Sequence, residues 1–115
     1  MSIIIYHNPR CSKSRQTLSL IREQGHTPKI IEYLKEPPSV SEILNILSLL
    51  ELEPRAILRT KEEPYKKLNL SNSDLTVDQL VEAIANNPIL MERPIVINGN
   101  KAAIGRPPEK VVAIL

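Results

Sequence analysis

The sequence contains no tryptophan and no phenylalanine, and only 3 of its 115 residues are tyrosine. Proteins that bind single-stranded nucleic acids stack the bases on aromatic side chains, so the composition excludes that kind of surface. The core must instead be built from isoleucine, leucine and valine. With 15 basic and 13 acidic residues the net charge is only +2, which does not indicate a nucleic-acid partner.

Cysteine and long hydrophobic runs are also scarce. The single cysteine, Cys11, excludes an internal disulfide, and with two histidines it leaves too few ligands for a structural zinc site, so no metal is expected. The first apolar run, Ile3 to Ile5, is too short for a signal peptide or a membrane span. The length predicts one domain over residues 1–115, expected to be monomeric, and these absences predict a protein of the reducing cytoplasm with no membrane partner.

Positive charge is concentrated in two segments that are distant in the sequence. Residues 1–22 contain four basic side chains and no acidic one, and residues 93–108 contain three basic side chains and again no acidic one. The remainder of the chain is therefore net acidic. Solvation of the surface is the simpler explanation for any one of these side chains, but the two segments would form an anion site if the fold joined them.

The order of predicted elements indicates an α/β fold. A strand, a helix and a second strand form a right-handed parallel crossover, two capping boxes begin further helices, and Asn98-Gly99 predicts a closing hairpin. The predicted elements are strands at 3–6, 29–33, 95–97 and 101–104, and helices at 12–24, from 40, around 55–59, 77–86 and from 108. This order is that of a thioredoxin-like fold, with a mixed four-stranded sheet, flanking helices and an extra helical insertion.

Cys11 is the most distinctive residue of the chain. It lies where the first helix begins, so unpaired backbone N–H groups and the helix dipole favour the thiolate over the thiol. Arg10, Lys13, Arg15 and His7 add to this effect from nearby positions. A lone cysteine is more often a small buried hydrophobic residue, but the polar and cationic surroundings favour reactivity here.

Ser14 stands three residues after Cys11, where a dithiol redox protein has its second cysteine. Because no internal thiol can resolve a disulfide at Cys11, such a bond must involve an outside partner such as glutathione or a redoxin. A phosphatase-type anion cradle needs an arginine six residues after the cysteine, whereas Arg15 is four residues after it. An anion at Cys11 must therefore recruit arginines from elsewhere in the chain.

The segment from Tyr6 to Arg15, with His-Asn-Pro before the cysteine and Ser-Arg after it, resembles the signature of the glutaredoxin-coupled arsenate reductase family. The resemblance covers essentially the whole chain, because further segments occur in the family's order and spacing. These are Glu32-Tyr33-Leu34, 55–59, Glu63-Pro64-Tyr65, Asn87-Pro88-Ile89-Leu90, Arg93-Pro94-Ile95-Val96 and Arg106-Pro107. The length resembles the short, chromosomal reductase-like branch.

The resemblance implies a thioredoxin-like enzyme that reduces arsenate to arsenite through one cysteine. It makes Cys11 the nucleophile and places two thiolate-stabilising residues, His7 and Ser14, beside it. The implied oxyanion ligands are Arg59, Arg93 and Arg106. Glutathione is implied as a co-substrate rather than a bound cofactor, and glutaredoxin as the partner. Thioredoxin-like proteins place a cis-proline before the strand that faces the cysteine, which predicts a cis Arg93-Pro94 bond.

Two alternative functions remain open at this point. The first keeps glutathione chemistry but replaces arsenate with a protein or small-molecule disulfide. The second is a binding protein similar to the Spx-type regulators of RNA polymerase, against which Ser14 counts, since those proteins usually carry Cys-x-x-Cys. The fold cannot separate these functions, because function depends on the site.

Overall fold

The computed structural model describes residues 2–115, and its backbone contacts divide the chain into two compact units. The first unit contains the residues up to Glu36 together with Arg93–Leu115, and the second contains Pro37–Glu92. No helix within residues 2–115 is long and apolar enough to cross a membrane. The assignment of residues 1–115 to one domain stays a prediction.

The first unit is built on a four-stranded mixed sheet. Its strands are β1 (Ile3–His7), β2 (Lys29–Glu32), β3 (Ile95–Asn98) and β4 (Lys101–Ile104), arranged in the order β2-β1-β3-β4. β1 is parallel to β2 and antiparallel to β3, and β3 is antiparallel to β4. This arrangement confirms the mixed sheet and the parallel crossover that the sequence predicted.

Helix α1 (Ser12–Glu23) connects the two parallel strands and covers the sheet. Leu18 and Ile21 pack with Ile5, Val96 and Val111 in the core of this unit, since their helical spacing places them on one face. The unit ends in a 3₁₀ helix over Pro108–Ile114, where an unspecified helix was predicted.

The β3–β4 hairpin is confirmed, but its turn is shifted by one residue from the Asn-Gly prediction. Asn98 pairs with Lys101 inside the ladder, so the two loop residues are Gly99 and Asn100. Gly99 has a φ of 62°, which glycine tolerates without steric cost and which a two-residue hairpin turn requires. The Asn98 side chain is thereby free to donate from Nδ2 to the carbonyl oxygen of Ile114, 2.6 Å away.

The second unit is helical and corresponds to the predicted insertion. It contains α2 (Val40–Leu50), α3 (Glu63–Lys67) and α4 (Val77–Asn86), with 3₁₀ turns at Pro54–Ile57 and Pro88–Leu90. Both predicted capping boxes are present, at Ser39 with Glu42 and at Thr76 with Gln79. The buried face of α2 consists of Ile43, Ile46 and Leu47, whereas Val40 and Leu44 are exposed.

The peptide bond between Arg93 and Pro94 is cis, as predicted, and the bond between Arg106 and Pro107 is also cis. Arg93 begins the second part of the first unit, directly before β3, and Arg106 follows β4. The two arginines therefore flank the hairpin on the same end of the sheet, since β3 and β4 are antiparallel.

Replacing Gly105 with alanine is expected to destabilise the protein by about 1–3 kcal/mol, the usual cost of overpacking. A Cβ at this position would lie 2.5 Å from Thr17 Oγ1 and 2.8 Å from Pro94 Cγ, so α1 and the loop before β3 would have to move apart. Chemical denaturation measures the effect. Combining the change with Thr17→Ala, which removes the nearest atom, should cost less than the two changes summed. Additive effects would contradict the steric explanation.

Candidate active site around Cys11

Cys11 is the N-cap residue of α1, as the sequence predicted. Its backbone N–H donates to the carbonyl oxygen of Asn8 at 3.0 Å, and its own carbonyl oxygen accepts from the N–H of Arg15 at 3.0 Å. These bonds close the loop between β1 and α1 and start the helix at the cysteine. The residue is 9% exposed. Its thiol therefore lies at the positive end of the helix dipole in a nearly enclosed position.

Arg106 places a positive charge beside the thiol. Its Nη2 donates toward Cys11 Sγ over 3.6 Å, and its Nε donates to the carbonyl oxygen of Arg93 at 2.8 Å. The second bond fixes the plane of the guanidinium group, since Nε is part of that plane. The two basic segments seen in the sequence, which are distant along the chain, thus meet at Cys11 as an anion site requires.

His7 and Ser14 form a buried pair beneath the same loop. His7 Nδ1 and Ser14 Oγ are 2.6 Å apart, and Ser14 Oγ also accepts from the N–H of Asn8 at 3.0 Å. Both side chains are buried, with Ser14 completely so. Within residues 2–115 their hydrogen bonds go to each other and to Asn8, not to the thiol. The pair connects the end of β1 with α1 and so fixes the loop that carries Cys11.

Burial lowers the pKa of His7 below its ordinary value of 6.5, because a charged imidazolium loses its hydration inside the protein. The carboxylate of Glu32 opposes this effect, whereas the charges of Arg22 and Arg15 reinforce it. The ring is therefore neutral at neutral pH, where one ring nitrogen donates a hydrogen bond and the other accepts one.

The lowered pKa of His7 predicts a loss of stability in mild acid. The unfolded chain binds a proton near pH 6.5 while the folded chain resists it, so the free energy of unfolding should fall as pH drops below 6.5. NMR titration of the ring should give a midpoint below 6.5, and His7→Gln should flatten this part of the stability profile. A midpoint above 6.5 would show that Glu32, rather than burial, controls the ring.

Arg59 lies in the second unit, between the 3₁₀ turn at 54–57 and α3. Its Nε and Nη2 donate to Glu62 Oε2 at 3.1 and 2.9 Å, and its Nη1 is 3.5 Å from Glu92 Oε1. Arg59 was predicted from the sequence as a site residue, but neither acid was. Glu62 could have been found from its spacing of three residues, whereas nothing in the sequence indicated Glu92.

The described structure therefore unites Cys11, Arg106 and the backbone of Arg93 in one arrangement, with His7 and Ser14 supporting the loop. The additional residue that sequence reasoning missed here is Asn8, whose carbonyl oxygen and N–H bind Cys11 and Ser14. The roles assigned to Cys11, His7, Ser14, Arg59, Arg93 and Arg106 stay predictions. The geometry suits a nucleophilic thiolate beside a bound oxyanion.

A family model described as the ArsC family matches residues 6–114. The chain belongs to the ArsC family. It is 53% identical to a protein named arsenate reductase from Haemophilus influenzae, over the full length of both chains. It is also 48% identical to an arsenate reductase from Neisseria meningitidis serogroup A, over 98% of this chain and 97% of that protein.

A solved structure from the same family supports the fold. The arsenate reductase from Vibrio cholerae superposes with a TM-score of 0.97 at 52% identity, covering 100% of this chain and 98% of that one. The thioredoxin-like α/β fold predicted from the order of elements is thereby confirmed, as is the resemblance to the arsenate reductases of the ArsC family.

Proposed function

We propose that this protein reduces arsenate to arsenite, with Cys11 as the nucleophile and with glutathione and glutaredoxin as the source of electrons. The observation that carries the proposal is the 3.6 Å contact between Arg106 Nη2 and Cys11 Sγ at the N-terminus of α1. A cation and a helix N-terminus at one thiol favour the binding of an oxyanion beside the sulfur. The arsenate reductases of the ArsC family that the chain resembles support the choice of oxyanion.

The first step joins Cys11 to the substrate. The thiolate sulfur attacks the arsenic atom of the arsenate dianion, a sulfur–arsenic bond forms, and a hydroxyl group leaves as water after accepting a proton. Arsenic remains in the +5 state. Arg106 stabilises the oxygens of the adduct, because a guanidinium group fixed by the carbonyl of Arg93 needs no reorganisation as charge develops.

The second stage supplies two electrons. A glutathione thiol replaces a further hydroxyl group on arsenic, which leaves as water. The glutaredoxin thiolate then attacks the glutathione sulfur, the two form a mixed disulfide, and the electron pair of the broken sulfur–arsenic bond reduces arsenic to the +3 state. Water releases arsenite from Cys11 and restores the thiol. An outside thiol is required at this stage because the chain has no second cysteine.

Arg59 and Arg93 complete the proposed oxyanion clamp with Arg106. This assignment comes from the resemblance, and the chemistry supports it, since the planar guanidinium group binds two oxygens of a tetrahedral anion at once. Arg93 contributes in addition through its backbone, by holding Arg106.

The proposal is tested with purified protein, glutathione and several glutaredoxins, by following arsenate-dependent consumption of reducing equivalents. Turnover should require the protein, glutathione, a glutaredoxin and arsenate together. Arsenite should form in proportion to the glutathione oxidised. Reduction of a glutathionylated or disulfide substrate without any arsenate-dependent turnover would instead support the thiol–disulfide reductase. Absence of both activities with every glutaredoxin would favour a binding protein.

A further inference from the structure

Arg59 is surrounded by carboxylates in the second unit. Glu62 Oε2 accepts from Nε and Nη2 at 3.1 and 2.9 Å, and Glu92 Oε1 lies 3.5 Å from Nη1. The three side chains are 21–28% exposed, so water screens these interactions only in part. An arginine expected to bind a substrate anion is thus already bound to two anions of the protein.

Backbone hydrogen bonds fix both acids in place. The N–H of Glu62 donates to the carbonyl oxygen of Arg59 at 3.3 Å and so closes a turn at the start of α3. Leu58 and Met91 form an isolated antiparallel bridge. Two backbone hydrogen bonds flank this bridge, each 2.8 Å long. The N–H of Arg59 donates to the carbonyl oxygen of Leu90, and the N–H of Glu92 donates to the carbonyl oxygen of Ile57. The cluster of Arg59, Glu62 and Glu92 is therefore held by the backbone structure of this unit and is not a chance contact of flexible side chains.

The arrangement affects the binding capacity of Arg59 in two ways. A guanidinium group binds an oxyanion bidentately through a pair of neighbouring N–H groups, and Glu62 occupies the pair formed by Nε and Nη2. In addition, two carboxylates around one guanidinium group give the cluster a net negative charge. An incoming anion must therefore displace a carboxylate before Arg59 can contribute fully.

We propose that Glu62 and Glu92 compete with the oxyanion for Arg59 and so lower the affinity of the site for it. The inference rests on the proposed role of Arg59 as an oxyanion ligand. Glu62 is the stronger competitor, because it holds two N–H groups at shorter distances. The acids thereby set how tightly the site binds any oxyanion.

The test uses the Cys11→Ser protein, which keeps the thiol's shape but cannot react, and measures arsenate binding by calorimetry. Glu62→Gln should tighten binding by about two- to fivefold, as expected for the loss of a partly screened ion pair. Glu92→Gln should act in the same direction with a smaller effect. The control is Glu63→Gln, which makes the same change in charge one residue further along, at an exposed side chain with no ion pair within residues 2–115.

Two further measurements separate competition from a general change in structure or charge. With Cys11 present, Glu62→Gln should lower KM for arsenate by a similar factor and leave kcat within about twofold, since the ground state and the transition state are then bound more tightly to the same extent. In the Arg59→Ala background, Glu62→Gln should have no more effect than Glu63→Gln. The Arg59 Nε–Hε NMR signal should report the loss of Glu62 directly.

Weaker arsenate binding by Glu62→Gln would overturn the inference, because it would mean that Glu62 orients Arg59 productively. Equal tightening by Glu62→Gln and Glu63→Gln would also overturn it, because a long-range charge effect would then suffice. Failure of the proposed function appears differently: none of the variants, Glu63→Gln included, would bind arsenate.

Discussion

Replacing Cys11 with serine is expected to lower arsenate turnover by about a thousandfold or more, the scale found when an enzyme loses its nucleophile. Serine matches cysteine in shape, but its hydroxyl group does not ionise at neutral pH and cannot form the adduct with arsenic. Cys11 is the chain's one cysteine, so no neighbouring thiol can take over. Turnover is measured as arsenate-dependent oxidation of glutathione with glutaredoxin supplied.

The serine protein should retain its fold and its arsenate binding. The backbone bonds that place residue 11 run from its N–H to Asn8 and from Arg15 to its carbonyl oxygen, and neither involves the side chain. Circular dichroism and thermal unfolding check the fold, and calorimetry checks the binding. If this folded variant kept a tenth or more of the native turnover, Cys11 would not be the nucleophile and the proposed mechanism would be wrong.

Local signals in the sequence were sufficient for most elements of the fold. The apolar run before Asn8-Pro9 predicts where β1 ends, and the two capping boxes predict where α2 and α4 begin, because each depends on residues no more than four apart. Helix α3 was not predicted, because the stretch around Pro64 has weak helical periodicity. Proline is in fact well suited to the first turn of a helix, where its missing N–H has no partner to lose.

The residues of the candidate site were predicted from the sequence, but the hydrogen bonds and ion pairs between them were not. His7 and Ser14 were both predicted to stabilise the thiolate, which stays a prediction, but their hydrogen bond to each other, seven residues apart across the loop, was not predicted. Glu92 reaches Arg59 through the bridge between Leu58 and Met91, which joins segments more than 30 residues apart. Such contacts depend on tertiary pairing, for which spacing along one chain contains no signal.

Arg106→Ala is expected to lower kcat/KM for arsenate by about 30- to 5,000-fold, which corresponds to about 2–5 kcal/mol of transition-state stabilisation. The variant removes the cation 3.6 Å from Cys11 Sγ and leaves the thiolate and the developing oxyanion without it. Arg106→Lys should recover only part of the loss. A lysine has a single side-chain nitrogen, so it cannot face the sulfur with one N–H-bearing group while another holds the carbonyl of Arg93.

Arg22→Ala is the matched control, because it removes the same charge from an exposed position in the last turn of α1. Its kcat/KM should stay within about twofold of the native value, as expected for an exposed charge at the opposite end of α1 from Cys11. Equal losses in the two variants would show that arsenate responds only to the overall positive charge of this unit. A large loss of kcat/KM in Arg106→Ala alone, with partial recovery in Arg106→Lys, would show that the fixed guanidinium group beside the thiol is needed. An oxyanion reductase requires that group, whereas a binding protein with an inert cysteine does not.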